Sequence, residues 1–171
     1  MTSRKLILLA EDDANDVLLV RLAFEAVGLE NALVVVRNGQ ETIDYLGGTG
    51  AYRDREKYPV PALLLLDLNM PGVDGFEVLA WRNTQKRLRD LPIIVLSSSN
   101  LPTDVHRAMD LGAAAYRVKP GDFHYLREVA RQLRDQWFAQ DDIAGARRKP
   151  MERVSYYART TEKGLSNFCR R

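Results

Sequence analysis

Cysteine is all but missing from this chain. Cys169, close to the end of 171 residues, has no partner within the sequence. An internal disulfide framework is therefore excluded, and the expected compartment is a reducing one, the cytoplasm. Long apolar runs are missing as well. The longest, Leu6–Ala10 and Ala62–Leu66, are stopped by Glu11 and Asp67, which is strand length and far short of the roughly 20 residues of a membrane helix. The short run behind Arg4 and Lys5 is also too brief for a signal-peptide core, so neither membrane insertion nor export is expected. Histidine is scarce: His106 and His124 have no acidic or cysteine neighbours at ligand spacing, and surface or capping roles are expected of them.

What is present suffices for one core. With 46% hydrophobic and 28% charged residues, a single globular domain over residues 1–138 is expected, followed by an extension at 139–171. The net charge of +2 is unevenly spread, because from Arg147 onward eight basic residues face only Glu152 and Glu162. That segment carries +6 and leaves −4 for residues 1–146, so an acidic domain is followed by a basic tail.

Apolar, β-suited runs recur at Leu6–Ala10, Leu33–Val36, Leu63–Leu66, Ile93–Leu96 and, more weakly, Ala115–Val118. Each is followed by apolar residues at helical spacing. The first helix is read from Val17, Leu18, Val20, Leu22, Phe24 and Val27, capped by Asp13 or Asn15 and closed by Gly28. The others are predicted near 39–47, 74–88, 102–111 and 122–138. Strands apolar on both faces belong in a parallel sheet between two helical layers. The predicted fold is thus α/β, a flavodoxin-like (βα)5 doubly wound sheet of strand order 2-1-3-4-5 with a C-terminal extension. Residues 47–61, rich in Gly and Pro, are expected to form a surface loop without regular structure.

In this topology ligands sit beyond the carboxyl ends of the strands. Glu11 and Asp12 follow the first strand, Asp67 ends the third, Ser97 ends the fourth and Lys119 follows the fifth. Three converging carboxylates repel one another and call for a cation. Mg²⁺ suits them, being a hard ion that bridges a few carboxylates to phosphate. With its neighbours neutralised, Asp67 becomes a candidate nucleophile for phosphoryl transfer, and the Lys119 ammonium and Ser97 hydroxyl could stabilise the phosphoryl oxygens. Taken singly these residues have plainer readings: an acidic helix cap for Glu11-Asp12-Asp13, a strand-ending Asp67, a solvated Lys119. Their placement at the same end of the correct strands is what distinguishes them.

The segments Leu8-Leu9-Ala10-Glu11-Asp12-Asp13, Leu66-Asp67-Leu68-Asn69-Met70-Pro71 with Asp74-Gly75, Leu96-Ser97-Ser98 and Tyr116-Arg117-Val118-Lys119-Pro120 resemble the signature segments of response-regulator receiver domains of two-component systems. The resemblance spans about residues 4–138. It implies that Glu11, Asp12, Asp67 and the main-chain carbonyl of Asn69 hold Mg²⁺. It also implies that Asp67 accepts a phosphoryl group from a sensor histidine kinase, that Ser97 and Lys119 contact that group, and that Ser97 and Tyr116 act as the switch. Glu11 stands where aspartate is commoner in the family, and Ser97 where threonine is frequent. The long loop before the third strand, Asp74-Gly75-Phe76, the segment Leu88-Arg89-Asp90-Leu91-Pro92 and Trp137-Phe138 resemble, more narrowly, the stand-alone receivers that partner phytochrome-type kinases.

The extension is too short for an effector domain with its own core, so output by protein–protein contact is expected. Its scattered positive charge carries no nucleic-acid recognition motif. Tyr156, Tyr157, Leu165 and Phe168 instead suggest an arm that docks on a second copy, giving a homodimer. Two other classes stay open at this stage. A phosphohydrolase of the haloacid-dehalogenase type would want a second acid where Asn69 stands. A receiver-like module that serves only for binding has no need of intact Glu11, Asp12, Asp67, Ser97 and Lys119.

Overall fold

The computed structural model describes residues 5–29, 32–119 and 122–137. Pro120 and the extension at 139–171, with its expected dimerisation arm, lie outside the described residues. Five parallel strands, β1 (Ile7–Ala10), β2 (Leu33–Val36), β3 (Leu63–Leu66), β4 (Ile93–Ser97) and β5 (Ala115–Val118), form one sheet in the order β2-β1-β3-β4-β5. The expected doubly wound topology is borne out. Five helices alternate with the strands: α1 (Ala14–Glu25), α2 (Gly39–Gly47), α3 (Gly75–Thr84), α4 (Pro102–Asp110) and α5 (Phe123–Trp137).

Strand alternation divides the apolar residues between two cores. Ile7, Leu9, Leu63, Leu65, Ile94 and Leu96 pack against α1 and α5 through Val17, Val20, Phe24, Leu126, Val129 and Leu133. Leu8, Leu64, Leu66, Ile93 and Val95 face the other way, onto Tyr45 and Leu46 of α2, Val78 and Leu79 of α3 and Ala108 of α4. Burying one such leucine is worth about 1.5–3 kcal/mol, which explains why four consecutive leucines in β3 specify a central strand.

The structure departs from sequence expectation in three places. In α1, Leu18 and Leu22 lie 55% and 43% exposed; the buried stripe is Val17, Val20, Ala23 and Phe24. The helix ends at Glu25, and Gly28 follows in the left-handed region with φ 77°, where a glycine suffers no Cβ clash. In α3 the helix stops at Thr84 and a 3₁₀ turn, Lys86–Leu88, completes the predicted span. The third is the connection before β3, which lies at the surface as expected but is not without regular structure. It contains a 3₁₀ turn at Gly50–Tyr52, and Tyr52 and Tyr58 stack in tilted and edge geometry on Tyr45 with centroids 4.9 and 6.0 Å away. Arg55 donates to the carbonyls of Tyr45 and Leu46 at 2.8 and 2.9 Å. It thereby satisfies the Leu46 carbonyl, which the end of α2 leaves without a backbone partner, and adds a second bond to the Tyr45 carbonyl, which already accepts from the Gly48 amide at 3.2 Å.

Candidate functional site

The sheet continues one hydrogen bond past the strands, and those bonds fix the candidate site residues. The amide of Glu11 donates to Val36 O (3.0 Å), that of Asp67 to Ala10 O (3.0 Å) and that of Lys119 to Ser97 O (2.7 Å). Glu11, Asp67, Ser97 and Lys119 are thus carried to one edge by the ladder itself. The acidic run after β1 then divides by role. Asp13 turns away to cap α1, its Oδ1 accepting from the amides of Asn15 (2.7 Å) and Asp16 (3.1 Å). The amides of Asp16 and Asn15 hold its carboxyl below the usual range. Capping therefore falls to Asp13 alone, and Glu11 and Asp12 are left to the site.

Oxygen atoms of Glu11, Asp12 and Asp67 all lie within 4.8 Å of one another, with Glu11 and Asp67 buried and Asp12 exposed. Into this group reaches Lys119, whose Nζ lies 2.6 Å from Glu11 Oε2, 2.9 Å from Asp67 Oδ2 and 2.8 Å from Asp16 Oδ2. The sequence reading missed Asp16. Read linearly it is one more acid in the first turn of a helix, where acids are common. Only its position one turn beyond Asp12, facing the same sheet edge, could have singled it out. Asp67 Oδ1 also accepts the Asn69 amide at 3.3 Å.

Ser97 is fully buried, and its Oγ accepts the Ser99 amide at 3.3 Å. Tyr116 turns inward, 6% exposed, and its hydroxyl donates to Ser99 O at 2.9 Å. Burial pushes the Tyr116 phenol up. His106 and His124 are exposed on α4 and α5, and neither belongs to the Glu11, Asp12 and Asp67 cluster.

Burial pushes the Glu11 carboxyl up to about 7 from an ordinary 4.5, with the hydrogen bond from Lys119 pulling the other way. Burial alone would lower the Lys119 ammonium, but its bonds to Asp16, Glu11 and Asp67 outweigh that and raise it. One ammonium among four carboxylates leaves an excess of negative charge. The cluster thus fits a hard divalent cation, taken by Glu11, Asp12 and Asp67 as oxygen donors.

Without a cation, the folded protein binds more protons at Glu11 than the unfolded chain does between about 4.5 and about 7. This group's contribution is full below about 4.5 and is lost as pH rises through about 7. The effect is worth at most about 3 kcal/mol, or about 9 °C in Tm for a domain of this size. In chelator, the Tm of the wild type is expected to fall between pH 5 and pH 8 by several degrees more than that of Glu11→Gln, which cannot titrate there. Parallel profiles for the two proteins would refute the assignment.

Residues 7–131 match the response regulator receiver domain family, and the chain belongs to that family. Its curated relatives include the "Probable methanogenesis regulatory protein FilR2" of Methanothrix harundinacea, 33% identical, with 82% of this chain and 88% of the relative covered. Response regulator Rcp1 of Synechocystis sp. is 32% identical, covering 78% and 88%. The Mn²⁺-bound structure of Rcp1 matches with a TM-score of 0.69 at 31% identity, over 81% of this chain and 96% of that one. The phosphorylated cyanobacterial phytochrome response regulator RcpA matches with a TM-score of 0.73 at 32% identity, over 80% and 96%. The family is one of signalling proteins, and its receiver domains interact with histidine kinases. Among the described residues no helix is long and apolar enough to cross a membrane.

Proposed function

We propose that this protein is a single-domain response regulator that accepts a phosphoryl group on Asp67 in a Mg²⁺-dependent reaction and signals by protein–protein contact. The observation that carries the reading is the convergence of the Asp67 carboxylate, the Lys119 ammonium 2.9 Å away and the Glu11, Asp12 and Asp67 oxygen cluster on one sheet edge. In the transfer an Asp67 carboxylate oxygen attacks phosphorus, and the phosphorus–nitrogen bond of a phosphohistidine breaks. An acyl phosphate is left on Asp67, and the departing imidazole takes a proton from solvent. Lys119 and Ser97 donate to the phosphoryl oxygens. Glu11, Asp12, Asp67 and the carbonyl of Asn69 would hold Mg²⁺, which supplies charge neutralisation for the incoming phosphoryl group.

Tyr116 is read as the switch with Ser97. Its hydroxyl holds Ser99 O, so a movement of the Ser97–Ser99 segment toward phosphate biases the position of the ring and of the surface beside it. The likeness to RcpA, described as a phytochrome response regulator, favours a phytochrome-type histidine kinase as the donor. Incubation with acetyl phosphate and Mg²⁺, followed by intact mass, is expected to show one added phosphoryl group, and none in chelator. Absence of any adduct, with acetyl phosphate or with kinases, would overturn the reading in favour of a pure binding module.

The proposed homodimer rests on the apolar residues of the extension. Light scattering of the full chain and of residues 1–138 is expected to give a dimer and a monomer respectively, and two monomeric masses would refute it.

A further inference from the structure

A lysine ammonium has three N–H donors, and Lys119 spends them on three carboxylates, those of Glu11, Asp16 and Asp67. Under the reading above, Glu11 and Asp67 pass to the cation and the phosphoryl group. Asp16 is different. It is absent from the cluster of candidate cation ligands, and it lies on α1 with a side chain 37% exposed. Its own position is fixed by the Asp13 cap, which accepts its amide at 3.1 Å. Beside the Asp16–Lys119 pair is a cavity of about 20 Å³ lined by Asp16, Leu19, Val20, Leu96, Lys119 and Leu126. That is room for one water, so the ammonium end of Lys119 is not packed on every side by protein.

We propose that Asp16 is a positioning residue for phosphoryl transfer: it holds the Lys119 ammonium beside Asp67 when the other two carboxylates are engaged. The inference rests on the proposed phosphoacceptor role of Asp67. Lysine is a point charge on a flexible four-carbon stem, so its value to a transition state depends on what fixes its end. Asp16 opposes catalysis only by its negative charge, which is partly in solvent and already paired with the ammonium. Positioning is therefore the larger effect.

The test is a double-mutant cycle on the phosphorylation rate with acetyl phosphate and Mg²⁺. Asp16→Ala is expected to slow the wild type about tenfold, the loss corresponding to roughly one charge-assisted hydrogen bond, and Asp16→Asn, which keeps an acceptor oxygen, by less. In a Lys119→Ala background, Asp16→Ala is expected to change nothing. Equal slowing in both backgrounds would mean a merely structural role, and no slowing in the presence of Lys119 would also overturn the proposal. A second arm, run in Mg²⁺ so that Glu11 and Asp67 are engaged by the cation under the reading above, labels amines with a small acylating reagent and reads Lys119 by mass spectrometry. Labelling is expected to rise severalfold in Asp16→Ala, and unchanged labelling refutes the anchor. Should the wild type take up no phosphoryl group, the Asp67 reading fails, and the labelling arm still decides whether Asp16 holds Lys119.

Discussion

Asp67→Asn is expected to take up no phosphoryl group from acetyl phosphate or from a histidine kinase under conditions in which the wild type takes one. An amide oxygen is a poor nucleophile and cannot form the acyl phosphate, so the loss is complete rather than graded. The same substitution leaves the fold intact. Asparagine is nearly isosteric with the aspartate it replaces, and its side-chain carbonyl can still accept from the Asn69 amide as Asp67 Oδ1 does at 3.3 Å. Lys119 keeps Glu11 and Asp16 as partners at 2.6 and 2.8 Å. Removing one of several crowded carboxylates also relieves repulsion. In chelator the Tm of Asp67→Asn is therefore expected to equal or exceed that of the wild type, while affinity for Mg²⁺ drops. Loss of phosphorylation with a lowered Tm would point to misfolding, and an adduct formed at the wild-type rate would remove Asp67 from the mechanism.

The fold was legible because its strands are unusually uniform. Four buried leucines at Leu63–Leu66 and the run Ile93–Leu96 admit no face to solvent, and each run is stopped by the polar residue that later joins the site. Helices were harder. In α1 the apolar residues exceed what the core takes, and Leu18 and Leu22, from which the helix is read, lie at the surface. Linear spacing shows which residues could face inward, not how wide a stripe the sheet covers. The connection before β3 was illegible for another reason. Tyr45, Tyr52 and Tyr58 have no shared period, and Arg55 finds the carbonyls of Tyr45 and Leu46 only once the chain has turned back on α2. Asp16 shows the limit of motif reading at the site itself: its partner Lys119 stands 103 residues away, and the pairing exists only because β1 and β5 deliver both residues to one edge.

Gly75→Ala is expected to damage both stability and phosphorylation, although alanine is the better helix former. Gly75 opens α3 behind the Asp74 cap, where Asp74 and Glu77 bond each other's amides at 2.8 Å. A Cβ there would stand 2.4 Å from Asp67 O and 2.8 Å from Leu68 Cα. These are backbone atoms, so no side chain can swing aside. Either α3 retreats from the sheet, weakening the bond from the Gly75 amide to Leu68 O at 3.0 Å, or the segment carrying Asp67 moves. Helix propensity returns at most about 1 kcal/mol, whereas overpacking against backbone costs about 3 kcal/mol, so the net change is destabilising by about 2 kcal/mol and lowers Tm by about 6 °C. Displacing Asp67, the proposed nucleophile, by about 1 Å is expected to cost on the order of 100-fold in rate. Gly72→Ala separates the two effects. Gly72 has φ 76° with nothing within 4 Å of an added Cβ, so alanine there costs about 1 kcal/mol of backbone strain and leaves Asp67 in place. A Gly75→Ala protein with wild-type Tm and wild-type phosphorylation rate would show that α3 can yield without disturbing Asp67, and that the close approach of this helix is not what fixes the phosphoacceptor.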